Sequence, residues 1–345
     1  MEEQTNSGAV NPVVQPKPAE QPAAHGTSLW LKVIAVLYAL SLAAAFVVIS
    51  KGDAIRKKSP KDMDLAKLSG LSQSKKNAVA IVEIYGAISQ GNSSRSWDHG
   101  SQQIAKRIHD VADRKEVKAI VLDINTPGGS VGAVQEIYSA IKRAKAETKK
   151  PFIARFGDVS ASGGYYAASA CDLIVAEPGT ITGSIGVIFS VSNFEGLMKK
   201  VGYKNEAIKS GKFKDIGSPT REMTPEERKL LQAMIDDSYE QFVAAVSEGR
   251  KMPVEEVKKL ADGRIYTGKQ AKENGLVDRL GDLQDALDAA GELGGIGMNP
   301  RVLKESDPFG QFLSLVDSRL QPFGAKAMSE AMQTSPSLEY RWYGR

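Results

Sequence analysis

The chain predicts an α/β fold, and three observations carry that expectation. β-branched apolar runs alternate with segments of helical period, two of those runs end in glycine-rich turns, and each of these turns leads into a helical pattern. The first strand is expected over residues 79–88 (VAIVEIYGAI) and the second over 118–124 (KAIVLDI), with further strands over 151–156 and 173–176. Helices are expected over 131–145 and 165–170. After Ser218 the helical signals are local and firm. Thr224, Pro225 and Glu227 supply an N-cap, a first-turn proline and a capping-box partner. Leu230, Leu231, Met234, Ile235, Tyr239, Phe242, Val243 and Val246 then line one face, as core or as a subunit contact. Thr267 with Gln270 repeats the cap, and Gly275 suits the stop of a short helix over 268–274.

The organisation outside that pattern is equally uneven. Residues 1–28 are rich in Asn, Gln, Pro, Ala and Gly, lack apolar period and read as a disordered tail. Residues 29–49 (LWLKVIAVLYALSLAAAFVVI) are almost wholly apolar, long enough to cross a bilayer as one helix, with Lys32 placed to snorkel. Ala43 and Ala45 also make an A-x-A pattern, but the preceding tail has no compact basic region, so a permanent anchor is favoured over a cleaved signal. Residues 50–77 read as a charged, Ser-containing linker, 78–299 as the folded domain and 300–345 as a mobile C-terminal tail. Lys51, Arg56, Lys57, Lys58 and Lys61 follow the apolar run, which by charge bias alone would place the bulk of the chain in the cytoplasm.

Composition removes several function classes. Lys plus Arg number 45 against 41 for Asp plus Glu, and a net charge of +4 over 345 residues gives no electrostatic case for nucleic acid. The single cysteine, Cys171, excludes an internal disulfide and reads as a buried small hydrophobe. His25, His99 and His109 have no ligand spacing, so neither a metal centre nor a histidine-based triad is expected, and no cofactor.

Two turns carry candidate chemistry. Residues 125–130 (NTPGGS) join a strand to a helix, and their glycines would expose consecutive amides of the kind an oxyanion hole needs; an ordinary turn with Ser130 as N-cap is the plain alternative. Residues 160–166 (SASGGYY) make the same junction. A serine there presents its hydroxyl at a helix start where the dipole favours negative charge. Ser162 is the better placed, Ser160 the fallback, and N-capping the plain reading of either. A serine needs a base, and without a credible histidine a neutral lysine is the remaining common choice. Lys209, Lys212 and Lys214 share residues 208–215 (IKSGKFKD), and composition does not choose among them.

The ordered set TPGGS, SASGGYYAASACD, PGTITGSIGV, KSGKFKDIGSPTREMT and DGRIYTGKQAKENGLVD, running from Val79 to Leu283, resembles the signal peptide peptidase A family of bacterial serine proteases. The resemblance implies a Clp-protease/crotonase-like α/β fold of repeated β-β-α units and a short, single-repeat member of the family. It implies a Ser/Lys dyad of Ser162 and Lys214, with Ser184 orienting the lysine and Gly129 as oxyanion donor. The amide of Gly163 is a further oxyanion candidate, because the residue after a nucleophile commonly faces the same oxygen. The resemblance also implies remnant signal peptides and similar apolar peptides as substrates, and a homo-oligomer, an octamer, in contact with membrane lipid. It would sit in the bacterial inner membrane with an extracytoplasmic catalytic domain, against the charge bias noted above. Rival readings are an acyl-CoA-processing enzyme of the same superfamily, which would use carboxylates scarce around Ser162, and a non-catalytic membrane scaffold.

Overall fold

A computed structural model describes residues 77–91, 100–304 and 338–343, together with Ile34, Val36 and Tyr38. The chain divides into two units, Met1–Gln73 and Ser74–Arg345. In the first, Ile34, Val36 and Tyr38 are helical and exposed; the rest of the expected membrane span, the tail before it and nearly all of the linker lie outside the described residues. Among the described residues no helix is long and apolar enough to cross a membrane.

The second unit is an α/β structure around a mixed sheet. Its strands are β1 (Ala78–Tyr85), β2 (Val117–Thr126), β3 (Gly128–Ser130), β4 (Phe152–Ala161), β5 (Leu173–Ala176), β6 (Ile181–Gly183), β7 (Ile188–Phe189), β8 (Ile265–Thr267), β9 (Arg279–Leu280), β10 (Arg301–Lys304) and β11 (Leu338–Arg341). The main sheet runs β10-β1-β2-β4-β5-β9, parallel throughout. From β4 it branches through parallel β6 to antiparallel β8. A second sheet, β3-β11-β7, is antiparallel.

Alternation along the central strands builds a core on each face, as a parallel sheet covered on both sides requires. Val82, Ile84, Ile120, Leu122 and Ile124 pack under the helices Ser101–Asp113 and Val131–Thr148, while Val79, Ala119 and Val121 turn to Ala286, Leu287 and Ala290 of the Leu283–Leu293 helix. Cys171 is buried, and burial pushes its thiol up to about 12, which leaves it inert.

Most predicted elements appear with shifted ends. The first strand stops at Tyr85 because Gly86 takes φ 72°, and Ile88 rejoins only as a single bridge to Gly129. The fourth extends to Ala161, five residues past the expected end, because β6 pairs with its second half. Both capping boxes form, at Thr224/Glu227 and Thr267/Gln270, opening helices Pro225–Arg250 and Gly268–Glu273. The apolar stripe of the longer helix divides: Leu231, Phe242, Val243 and Val246 are buried, whereas Leu230 and Met234 are exposed. The expectation of a mobile tail beyond Pro300 fails at two segments. Residues Arg301–Lys304 add an edge strand to β1, and Leu338–Arg341 forms the middle strand of the second sheet with Tyr340 fully buried. Neither segment has a strong period of its own, since its partner is supplied by distant chain.

Candidate active site

Strand β4 ends in register with β6, Ala161 opposite Gly183, and the next residue turns sharply into the six-residue helix Gly163–Ala168. That residue is Ser162, at φ 54° and ψ −114°. A non-glycine residue so placed costs about 1–3 kcal/mol and persists only where its surroundings hold it. Here the Ser162 N–H donates to the Gly183 carbonyl (2.8 Å) and its own carbonyl accepts from the Tyr166 N–H (2.9 Å). Ser162 is 1% exposed, yet its side chain caps no amide of the helix that it begins. The plain N-cap reading therefore fails for Ser162. Ser160 is different: fully buried, it donates its hydroxyl to the Ile124 carbonyl at 2.6 Å, a structural bond between β4 and β2. The helix is too short to supply the full dipole expected from the sequence, so individual amides carry the local positive potential.

Ser184 follows Gly183 on the same branch of the sheet and lies one residue beyond the Ala161–Gly183 pair, beside Ser162. It too has a positive φ, 50°, and is buried, with its N–H fixed on the Arg264 carbonyl at 2.8 Å. Across the site, the Thr126 hydroxyl donates to the Gly86 carbonyl (2.5 Å) and accepts from the Gly128 N–H (3.0 Å), which secures the entry to β3. Ile88 holds one side of β3 by donating to the Gly128 carbonyl (2.9 Å) and accepting from the Ser130 N–H (3.0 Å). The Gly129 N–H is thereby left on the opposite side, facing β11. Space around these glycines is closed: a Cβ on Gly128, whose φ is 95°, would lie 2.6 Å from the Gly163 nitrogen. Ser162, Ser184, Gly129 and Gly163 thus gather around the ends of β2, β4 and β6.

Lys214 stands on the exposed loop that precedes the Pro225–Arg250 helix, its N–H turned onto the Gly211 carbonyl (3.2 Å) and its side chain in solvent. The structure does distinguish the three lysines of this loop. Lys209 pairs with Asp215 at 2.5 Å and Lys212 pairs with Glu226, whereas Lys214 is in no ion pair among the described residues.

Arg221, which sequence reasoning missed, clamps this loop. Its guanidinium donates to both carboxylate oxygens of Asp215 (2.9 and 2.8 Å), to the Asp215 carbonyl (3.2 Å) and to Glu227 (2.5 and 2.9 Å). The legible signal was Glu227, whose capping role is only half of its bonding. The Arg221 bonds, then the Thr224 amide, lower the Glu227 carboxyl from 4.5 to about 2, and the Arg221 and Lys209 bonds lower that of Asp215 as well. Depressed carboxyls stabilise the fold above their unfolded values, and that contribution is lost as pH falls through the folded ones. Wild-type Tm is therefore expected to fall as pH drops from about 4.5 to about 2, and Arg221→Met to be less stable at neutral pH, with the gap closing over that window. A constant Tm difference at all pH values, read by calorimetry, would count against the clamp.

The remaining wall of the site is β11. Its register pairs Glu339 with Ser130, Tyr340 with Gly129 and Arg341 with Gly128 on one side, and Leu338 with Phe189 and Glu339 with Ile188 on the other. A cavity of about 490 Å³, lined in part by Phe189, Asn193, Arg221 and Leu231, adjoins the Leu338 end. The Tyr340 ring stacks on Tyr166 (5.1 Å between centroids, 21°), tilts against Phe242 (4.9 Å) and donates its hydroxyl to the Ser238 carbonyl at 2.7 Å.

Comparison with known proteins bears on the family of the chain. The family model "Peptidase family S49" matches residues 144–296 and the "Clp protease" model residues 87–171. The chain is 44% identical over 270 residues to "Putative protease slr0021" of Synechocystis, covering 77% of this chain and 92% of that protein. It is 37% identical to "Putative signal peptide peptidase SppA" of Enterococcus faecium, over 64% of each chain. It is also 37% identical to "Protease 4" of Salmonella typhi, over 62% of this chain but 34% of that longer protein.

Proposed function

This chain belongs to peptidase family S49 and is a serine protease of Clp-like α/β fold, and from that premise we propose that it is a membrane-anchored endopeptidase with Ser162 as nucleophile and Lys214 as general base. The observation that carries the reading is Ser162 itself, a buried serine at positive φ, its hydroxyl unused by the helix, next to Ser184 and the glycine amides. Lys214 takes the proton of the Ser162 hydroxyl as its Oγ attacks the scissile carbonyl, and the Gly129 and Gly163 amides stabilise the oxyanion. Lys214 then protonates the leaving amine, and water hydrolyses the acyl-enzyme. Ser184 orients the lysine amine.

A lysine acts as a base only as the neutral amine, a form that burial favours and solvent does not. The exposed loop carrying Lys214 is therefore proposed to be covered in a homo-oligomer. Leu197, Val201, Tyr203, Ile208 and Phe213 support this, because they leave apolar side chains exposed on the same stretch of chain. The substrates proposed are remnant signal peptides and other apolar segments. The run over 29–49 would hold the enzyme in the bacterial inner membrane beside them, with the catalytic unit on the extracytoplasmic side.

The test is labelling of the purified full chain with a fluorophosphonate. One serine reacts in the wild type and in Ser160→Ala, and none in Ser162→Ala; persistent labelling of Ser162→Ala refutes the assignment. An acyl-CoA thioester offered alongside a peptide should remain intact.

A further inference from the structure

We propose that Asp262 is a positioning residue for the proteolytic step, acting through the turn it closes to hold the strained backbone of Ser184. This rests on Ser184 orienting the general base, as argued above.

The need for such a hold is set by β6. Its last residue, Gly183, has φ 77° and the next, Ser184, has φ 50°, so the chain leaves the sheet through two consecutive left-handed residues. Glycine accepts that conformation freely, whereas a serine keeps it only where neighbouring bonds fix it. Those bonds come from the segment that enters β8. The Ser184 N–H donates to the Arg264 carbonyl (2.8 Å) and the Gly263 N–H donates to the Ile185 carbonyl (3.1 Å), which carries the antiparallel pairing of Gly183 with Ile265 past both strand ends. From the other side the buried Thr182 hydroxyl donates to the Ser160 carbonyl at 2.7 Å and pins β6 to β4.

Strand β4 is fixed by the core, but the turn at residues 261–264 is not. The side chains of Asp262 and Arg264 are 49% and 58% exposed, and a Cβ on Gly263, whose φ is 88°, would meet nothing within 4 Å. Packing on these residues therefore does not define the turn, and side-chain bonding does. The Asp262 Oδ1 accepts from the Arg264 N–H (3.1 Å), a bond from one residue to the second after it that closes the turn, and from the Arg264 Nε (2.7 Å). Its Oδ2 accepts from the Arg264 Nη2 (2.5 Å). Asp262 thus orients the residue whose carbonyl Ser184 uses. The Arg264 side chain, then its amide, lower the Asp262 carboxyl from 3.8 to about 2, so it remains an acceptor at neutral and alkaline pH and carries no proton of the reaction. An exposed ion pair adds little to stability, so these bonds bear on where Ser184 stands rather than on whether the chain folds.

The experiment is a double-mutant cycle on the detergent-solubilised full chain, with steady-state hydrolysis of an apolar peptide and the rate of Ser162 labelling by fluorophosphonate as readouts. Asp262→Ala should lower kcat by between about tenfold and a hundredfold, the effect of a misplacement of up to about 1 Å, with KM within about twofold of wild type. Labelling should slow in step, while Tm stays that of the wild type. Asp262→Asn, whose amide oxygen still accepts the Arg264 N–H, should recover most of the loss. Asp262→Gln, polar but one methylene too long to close the turn, should behave as Asp262→Ala does. In a Ser184→Ala background, Asp262→Ala should change kcat by less than about twofold, because a residue acting only through Ser184 has nothing left to act on. Wild-type kcat in Asp262→Ala and Asp262→Gln, a loss carried by KM alone, or equal losses with and without Ser184 overturns this inference and leaves the protease reading standing. Wild-type kcat in Ser184→Ala overturns the role of Ser184 and this inference with it, Ser162 remaining the nucleophile. Absence of both labelling and peptide hydrolysis in the wild type overturns the protease reading itself.

Discussion

Ser162→Ala is expected to lower kcat for peptide hydrolysis by at least about 10⁴-fold, because in the proposed mechanism every later step depends on the acyl-enzyme formed on this oxygen. The substitution removes one oxygen at a site whose backbone is fixed by the Gly183 carbonyl and the Tyr166 amide, so the fold has no reason to change. Its thermal midpoint should match or exceed that of the wild type, since alanine leaves no buried hydroxyl to satisfy. Ser160→Ala provides the contrast. It loses a buried bond to Ile124, costing about 1 kcal/mol of stability, and should retain turnover. Residual activity in Ser162→Ala within a hundredfold of wild type, in protein shown to be folded by circular dichroism, would mean that another group attacks the carbonyl.

Gly129→Ala should be the most damaging single methyl group in the site. Its Cβ would lie 1.9 Å from the Ile88 carbonyl oxygen and 2.7 Å from the Ile88 nitrogen, and both obstacles are backbone held in the bridge between these residues. Strand β3 must therefore move, and the Gly129 amide moves with it. Misplacing one oxyanion donor costs about 10²–10³-fold in kcat. The loss should appear in kcat, because the donor acts on charge that develops only in the transition state. Gly132→Ala, three residues along in the Val131–Thr148 helix, meets nothing within 4 Å and should stabilise the protein by up to about 1 kcal/mol with activity unchanged. If both alanine variants behave alike in a steady-state assay, Gly129 is not an oxyanion donor.

Local chemistry made much of this molecule legible from the amino acids. The Pro225–Arg250 helix was marked by a capping box whose partners are three residues apart, and the central strands by β-branched runs whose character survives any tertiary context. The turn at Ser162 was legible because glycines follow a strand and precede a helix. The ends of β1 and β4 were less so: one depends on a positive φ at Gly86, the other on pairing with β6.

The identity of the residues alone therefore established an α/β protein of a recognisable protease family, with its glycine-rich turns and candidate groups in order. Tertiary structure was needed to show how Ser162 and Ser160, already ranked from the sequence, differ in bonding, since only packing shows that the Ser160 hydroxyl is bonded to Ile124 and that of Ser162 caps nothing. It was needed to see Lys209 and Lys212 committed to carboxylates and Arg221 holding the loop between them and the helix. Above all it was needed for β11, where LEYR carries no strand signal of its own and is ordered by distant chain on both sides, Gly129 being 211 residues from Tyr340 and Phe189 149 from Leu338. Periodicity reports only on neighbours within a turn or two of chain, while the cleft is assembled from backbone amides, register and burial, which no short window of sequence contains.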